Sequence, residues 1–275
     1  MMNICVATMT RTDRPFEVKE WVNYHKLIGV NKFYIYDDFS PIDLQPAFPN
    51  NTRWFKATEK DRFIKFDVFE KFMQAAKEDN IDWLILTDVD EYIVMTHENN
   101  LHSYLNQMSN FPAIELQMKN FSPMGHTGSY NSTVSIFDKY PCVYRPCQMV
   151  KTLVNINRTT PQRPDNPHHF ISGAVNCIGQ QPEYTYTNNC ATGHPCNINL
   201  PAWINHYPVR DLEQLVNKTH QRRCHLEVDD PSAQLEYVMS YVLKFTNPNI
   251  LEKYNLKQRQ PELYKQHIAN CEWLY

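Results

Sequence analysis

The sequence predicts an α/β domain whose mixed, mostly parallel sheet is flanked by helices. Three observations carry that prediction. Strand-like and helix-like patterns alternate over residues 1–120, polar clusters close three of the strand-like runs, and no repeat or linker divides the chain.

In chain order, "NICVATMT" is an apolar run ending in the polar turn "RTDRP", and reads as a buried first strand. "PFEVKEWVNYHKLIG" follows as a helix, with Pro15 at its start, Phe16, Val18, Trp21, Val22 and Leu27 at helical spacing, and Gly29 as its stop. "NKFYIYDD" is a second strand with "SPIDLQP" as its exit turn, and "TRWFKAT" is a short third strand. "DRFIKFDVFEKFMQAAKEDN" sets Phe63, Phe66, Val68, Phe69, Phe72 and Ala76 on one side of an amphipathic helix, and "WLILTD" is the next strand. Beyond residue 112 the runs "AIELQMKNF", "VSIFDKY" and "QMVKTLVNIN" look β-like, and residues 158–202, rich in Pro, His and Asn, look irregular. Helices are expected in "VRDLEQLVNKTHQRRC", "QLEYVMSYVLKFT" and the tail "ILEKYNLKQRQPELYKQHIANCEWLY".

Composition narrows the function classes. A net charge of -3 gives no electrostatic reason to expect nucleic acid as a partner. Six glycines, with no GxGxxG or Walker pattern, argue against a Gly-rich phosphate cradle. No apolar run reaches the ~20 residues that span a bilayer, and "MMNICVATMT" lacks a basic leader, so no membrane insertion and a soluble, cytoplasmic location are expected. The eight cysteines form no CxxC pair and read as free thiols, with Cys190, His194 and Cys196 as a zinc alternative.

The clusters "TRTD", "YDDFS" and "TDVDE" stand at the carboxyl ends of three predicted strands, where ligands of such sheets bind, so they should converge in one cleft. Asp88 and Asp90, one residue apart, can share a cation that bridges to diphosphate oxygens. Oxygen ligands suit Mn²⁺ or Mg²⁺, which acts as a Lewis acid on a departing nucleotide diphosphate. An isolated D-x-D is equally what a solvated acidic loop looks like.

The stretches "EVKEWVNYHKLIGVNKFYIYDDFSP", "WLILTDVDEYIV", "FSPMGH", "MVKTLV" and "INHYPVRDLEQLVNK" resemble, in that order, the pattern of glycosyltransferase family 92, across roughly residues 16–222. This sequence departs from the family in a weakened Gly-rich version of "FSPMGH" and in residues 158–202, which match nothing in it. The resemblance implies a GT-A (Rossmann-like) domain over 1–275, with a nucleotide-binding half at 1–112 and an acceptor-binding half with C-terminal helices at 113–275. It implies that Asp90 is the more direct metal ligand, that Asp88 lies nearer the ribose or the metal's water shell, and that His206 completes the site.

Thr10, Arg11 and Asp13 after the first strand, and Asp37 and Asp38 after the second, are placed to meet a uracil and its ribose. Asp38 can equally be a turn carboxylate. Arg62 and Lys65 can reach the diphosphate, Gly125 and His126 lie where the family's loop approaches the transferred sugar, and His168 and His169 can face the acceptor. Lys151 either adds charge to the diphosphate or orients a carboxylate. Asp165, Asp211, Glu227, Asp229 and Asp230 all remain open as the base.

The function implied is a metal-dependent, inverting transfer from a UDP-sugar to a hydroxyl of a glycan or glycoprotein. A further likeness to soluble members encoded by large algal DNA viruses of the chlorovirus type adds UDP-xylose to UDP-galactose as a donor. A nucleotidyltransferase and a non-catalytic carbohydrate-binding module are the competing readings.

Overall fold

The computed structural model describes residues 2–12, 14–57, 65–96, 100–121, 134–140, 142–160, 173–182, 185–187, 190–192, 200–211, 214, 252–253, 260–263 and 265–266. The first strand, β1 (Ile4–Thr10), sends Ile4 and Val6 into one apolar cluster and Cys5 and Ala7 into the other. Both faces are therefore buried, which is why the run is continuously apolar rather than alternating. Helix α1 (Pro15–Leu27) buries Val18, Trp21, Val22 and Tyr24 on the first face. It ends in a Schellman motif, in which Val30 N–H reaches His25 O at 2.9 Å, Gly29 N–H reaches Lys26 O at 3.1 Å, and Gly29 takes φ 111°.

Strands β2 (Lys32–Asp37) and β3 (Arg53–Lys56) follow. Helix α2 (Lys65–Glu78) then packs Val68, Phe69, Phe72 and Met73 on the second face before β4 (Trp83–Leu86). The chain continues as β5 (Glu91–Met95), α3 (Leu101–Gln107), β6 (Ala113–Phe121), α4 (Ile136–Lys139) and β7 (Cys142–Asn155). Short strands β8 (Val175–Asn176), β9 (Thr185–Thr187) and β10 (Cys190–Thr192) lead to β11 (Ala202–His206) and β12 (Glu252–Lys253).

The main sheet runs β3-β2-β1-β4-β7-β6-β11-β5, with β8 on β6 and β12 on β7. Parallel pairing holds through β3-β2-β1-β4, as expected, but β7 enters antiparallel to both β4 and β6, and β5 is antiparallel to β11. β11 and β8 are again parallel to β6, so the sheet is mixed, as expected, with its antiparallel pairings made by β7 and β5. Only four residues separate β4 from β5, and Glu91 N–H closes a turn onto Asp88 O at 3.0 Å. In a flat sheet four strand spacings would hold these strands roughly 19 Å apart. The sheet therefore curls, and the acidic turn bridges the gap between β4 and the far edge.

Several local expectations fail for tertiary reasons. "VSIFDKY" contains α4 instead of a strand, because Ser135 caps it and buried Glu20 of α1 accepts from Ile136 N–H at 3.0 Å and Ser135 Oγ at 3.2 Å. Helix α3, capped by Asn100, was not foreseen. Residues 158–202 include the three short strands β8 to β10, and Glu252–Lys253 pair with β7 where a helix was expected. Among the described residues no helix is long and apolar enough to cross a membrane.

Candidate metal and nucleotide site

The site grows from the end of β4. Thr87 N–H still pairs with Ala7 O at 3.2 Å, and the chain then turns through Asp88, Val89 and Asp90 into β5. Glu91, buried at the start of β5, folds its carboxylate back to accept from Asp88 N–H at 2.8 Å. Register does the rest. On β11, His206 stands opposite Glu91 of β5 on one side and Asn120 of β6 on the other, so three strands place these side chains in one row.

Asp90 is 8% exposed, and its Oδ1 lies 3.9 Å from His206 Nε2. His206 Nδ1 is 2.7 Å from Asn120 Oδ1. With that oxygen as acceptor, Nδ1 carries the proton and Nε2 turns its lone pair toward Asp90, the tautomer a metal-ligating histidine needs. One ligand atom each from Asp90, Glu91 and His206 fall within 4.8 Å of one another. A set of carboxylate oxygens and one imidazole nitrogen fits Mn²⁺, and less closely Mg²⁺.

Asp88, at 36% side-chain exposure, turns instead toward Lys151, whose Nζ lies 2.9 Å from Asp88 Oδ2 and 3.0 Å from Glu91 Oε2. Lys151 itself is buried, on β7. Burial alone would lower its pKa, but the Asp88 and Glu91 carboxylates outweigh that and hold it above the usual lysine range. For Glu91 burial dominates and lifts the carboxyl to about 8, with Asp88 and Asp90 adding and Lys151 opposing. Lys151 is therefore an internal counter-ion of the acidic turn.

The strand-end clusters meet on one edge. Thr10 closes β1, and its carbonyl accepts from Asp38 N–H at 2.9 Å just beyond β2; Arg11 is partly exposed beside it. The turn-forming carboxylate is Asp37, which accepts from Ser40 N–H at 2.9 Å. Asp211 is buried, takes both Arg14 guanidinium nitrogens at 2.8 and 3.2 Å, and accepts from Gln214 N–H at 2.7 Å. These bonds make it a joint between α1 and the segment after β11. Lys65 begins α2, where only its backbone is described. Asp13, Arg62, Gly125, His126, Asp165, His168, His169, His194, Cys196, Glu227, Asp229 and Asp230 lie outside the described residues.

Glu91, Asn120 and Arg210, whose Nη2 donates to Val89 O at 2.8 Å, also converge here, and none is among the site candidates the sequence offers. Glu91 sits in the quoted acidic run and Arg210 in "INHYPVRD", so both had a linear signal. Asn120 had none, since only sheet register brings it to His206.

Residues 75–192 match the model of glycosyltransferase family 92. That segment carries the acidic turn, Asn120 and Lys151, takes in residues 158–192, where the sequence had shown no likeness to the family, and ends before His206. A glycosyltransferase family 92 protein of Oryza sativa subsp. japonica is 28% identical over 182 residues, covering 61% of this chain and 29% of the relative. One from Arabidopsis thaliana is 25% identical over 248 residues, covering 82% and 38%, and one from Ricinus communis is 25% identical over 176 residues, covering 56% and 30%. The chain thus spans 29% to 38% of the length of these curated relatives. Together the matches make the chain similar to part of these glycosyltransferase family 92 proteins.

Proposed function

We propose that the chain is a glycosyltransferase domain of the family 92 type, GT-A in architecture, which uses Mn²⁺ or Mg²⁺ to move a sugar from a UDP-sugar to a hydroxyl of a glycan or glycoprotein. The observation that carries this reading is the facing pair Asp90 and His206, set at the carboxyl edge of the parallel strands beside a family match. Asp90 and His206 would hold the cation, and Asp88 would lie toward its water shell or the ribose. The cation supplies Lewis acidity at the leaving diphosphate.

The chain's own residues do the remainder. Asn120 keeps the proton on His206 Nδ1, and Lys151 holds Asp88 and Glu91 together and offsets part of the negative charge of the turn. Thr10, Arg11, Asp13 and Asp38 receive uracil and ribose; Arg62 and Lys65 meet the diphosphate; Gly125 and His126 approach the sugar. Inversion follows if a carboxylate takes the acceptor hydroxyl's proton as that oxygen displaces UDP from the anomeric carbon. Asp165, Glu227, Asp229 and Asp230 are the candidates for that base, Asp211 being engaged by Arg14.

The test is incubation with a UDP-sugar panel, UDP-xylose and UDP-galactose included, with Mn²⁺ and a glycan acceptor mixture. Release of UDP with glycosylated product, abolished in Asp90→Ala, is the expected result. Full transfer by Asp90→Ala, glycan binding without turnover, or pyrophosphate release from a nucleoside triphosphate would each end this reading.

A further inference from the structure

The acidic turn is gripped from behind by one short stretch. Tyr207 N–H donates to Asp90 O at 2.8 Å, and Arg210 Nη2 donates to Val89 O at 2.8 Å. Val89 lies between the two aspartates, and its carbonyl fixes the peptide plane that leads into Asp90. Arg210 is 0% exposed and ion-paired through Nη1 to Glu17 Oε2, itself buried in α1. Its backbone is pinned as well: the N–H donates to Gln214 Oε1 at 2.8 Å, and the carbonyl accepts from Tyr140 OH.

Burying a guanidinium and a carboxylate together is a poor way to stabilise a core, because apolar side chains of similar size do it as well or better. What they cannot do is donate to the Val89 carbonyl. We infer that Arg210, held by Glu17, is a positioning residue for the cation site, fixing the spacing between Asp90 and His206. His206, Tyr207 and Arg210 belong to one stretch, so the imidazole and the turn it faces move as a unit. This rests on the reading of Asp90 and His206 as cation ligands.

The test measures Mn²⁺ affinity by electron paramagnetic resonance of the free ion, alongside circular dichroism and thermal melting, so that it does not depend on turnover. Glu17→Met with Arg210→Met removes both charges and leaves no orphaned ion. It should melt cooperatively yet bind Mn²⁺ roughly tenfold to a hundredfold more weakly, the loss typical of outer supports of metal ligands. Native affinity in that folded double variant overturns the inference. If the double variant does not fold, Arg210→Lys decides: its ammonium keeps a charge for Glu17 but lacks the fork that also spans to Val89. Weakened Mn²⁺ binding with a native melt supports the inference, and unchanged binding overturns it. Asp90→Asn separates the two layers. Loss of Mn²⁺ binding there with native binding in the Arg210 variants defeats only the positioning role, whereas a parent chain that binds no Mn²⁺ defeats both.

Discussion

Lys151 and Asn120 show how single residues turn an acidic sequence into a site. Lys151 is a buried cation between two carboxylates, and removing it leaves buried Glu91 without its counter-ion. Because burial already lifts the Glu91 carboxyl to about 8, it protonates once Lys151 is lost, and Lys151→Met should destabilise the chain by about 1–3 kcal/mol, read as a lower urea midpoint. Asn120 works through its oxygen on His206 Nδ1. Asn120→Ala should leave the fold intact and weaken Mn²⁺ binding by about tenfold or more, measured by titration calorimetry, because the imidazole loses its tautomer lock. The acidic run and His206 were legible as candidates because their residue types carry chemistry by themselves. Asn120 was not, because an asparagine signals nothing until a strand partner defines it.

Among the elements, α1 joins core to site. Its buried face holds His25, whose Nδ1 lies 2.8 Å from Trp21 O and whose pKa burial pushes down from the ordinary 6.5 to about 4. The folded value lies below the unfolded one, so this histidine's contribution is complete above pH 6.5 and is lost as pH falls toward 4. Unfolding free energy should therefore drop over that window by up to about 3 kcal/mol from this group, and His25→Gln should flatten the slope in urea titrations run from pH 7 to pH 4. At the helix end, a Cβ on Gly29 would meet His102 Cδ2 at 2.7 Å and force a side chain to φ 111°. Gly29→Ala should lower stability by about 1–3 kcal/mol in thermal melts. Helices α1 and α2 were readable because each writes its own period into the chain. Helix α4 was not, since its first turn, capped by Ser135, is held by Glu20, more than a hundred residues away in sequence.

At the scale of the molecule, the site draws on β5, β6, β7 and β11 and the turn after β4, elements that meet only when the sheet has curled. A cation bound there acts on the folded chain alone. Mn²⁺ at a hundred times its dissociation constant should add about 2.7 kcal/mol, seen as a raised melting temperature that Asp90→Asn abolishes. By itself the sequence determined the parallel unit β1, α1, β2, β3, α2 and β4, with the acidic turn and polar strand ends along one edge, because local hydrophobic period and residue chemistry are written residue by residue. Only the tertiary structure decided that β7 runs antiparallel between β4 and β6, that β11 sets His206 between Asn120 and Glu91, and that Lys151 and Arg210 converge on the turn. Strand partners and register are chosen by the packing of the whole sheet, and no run of neighbouring residues records that choice.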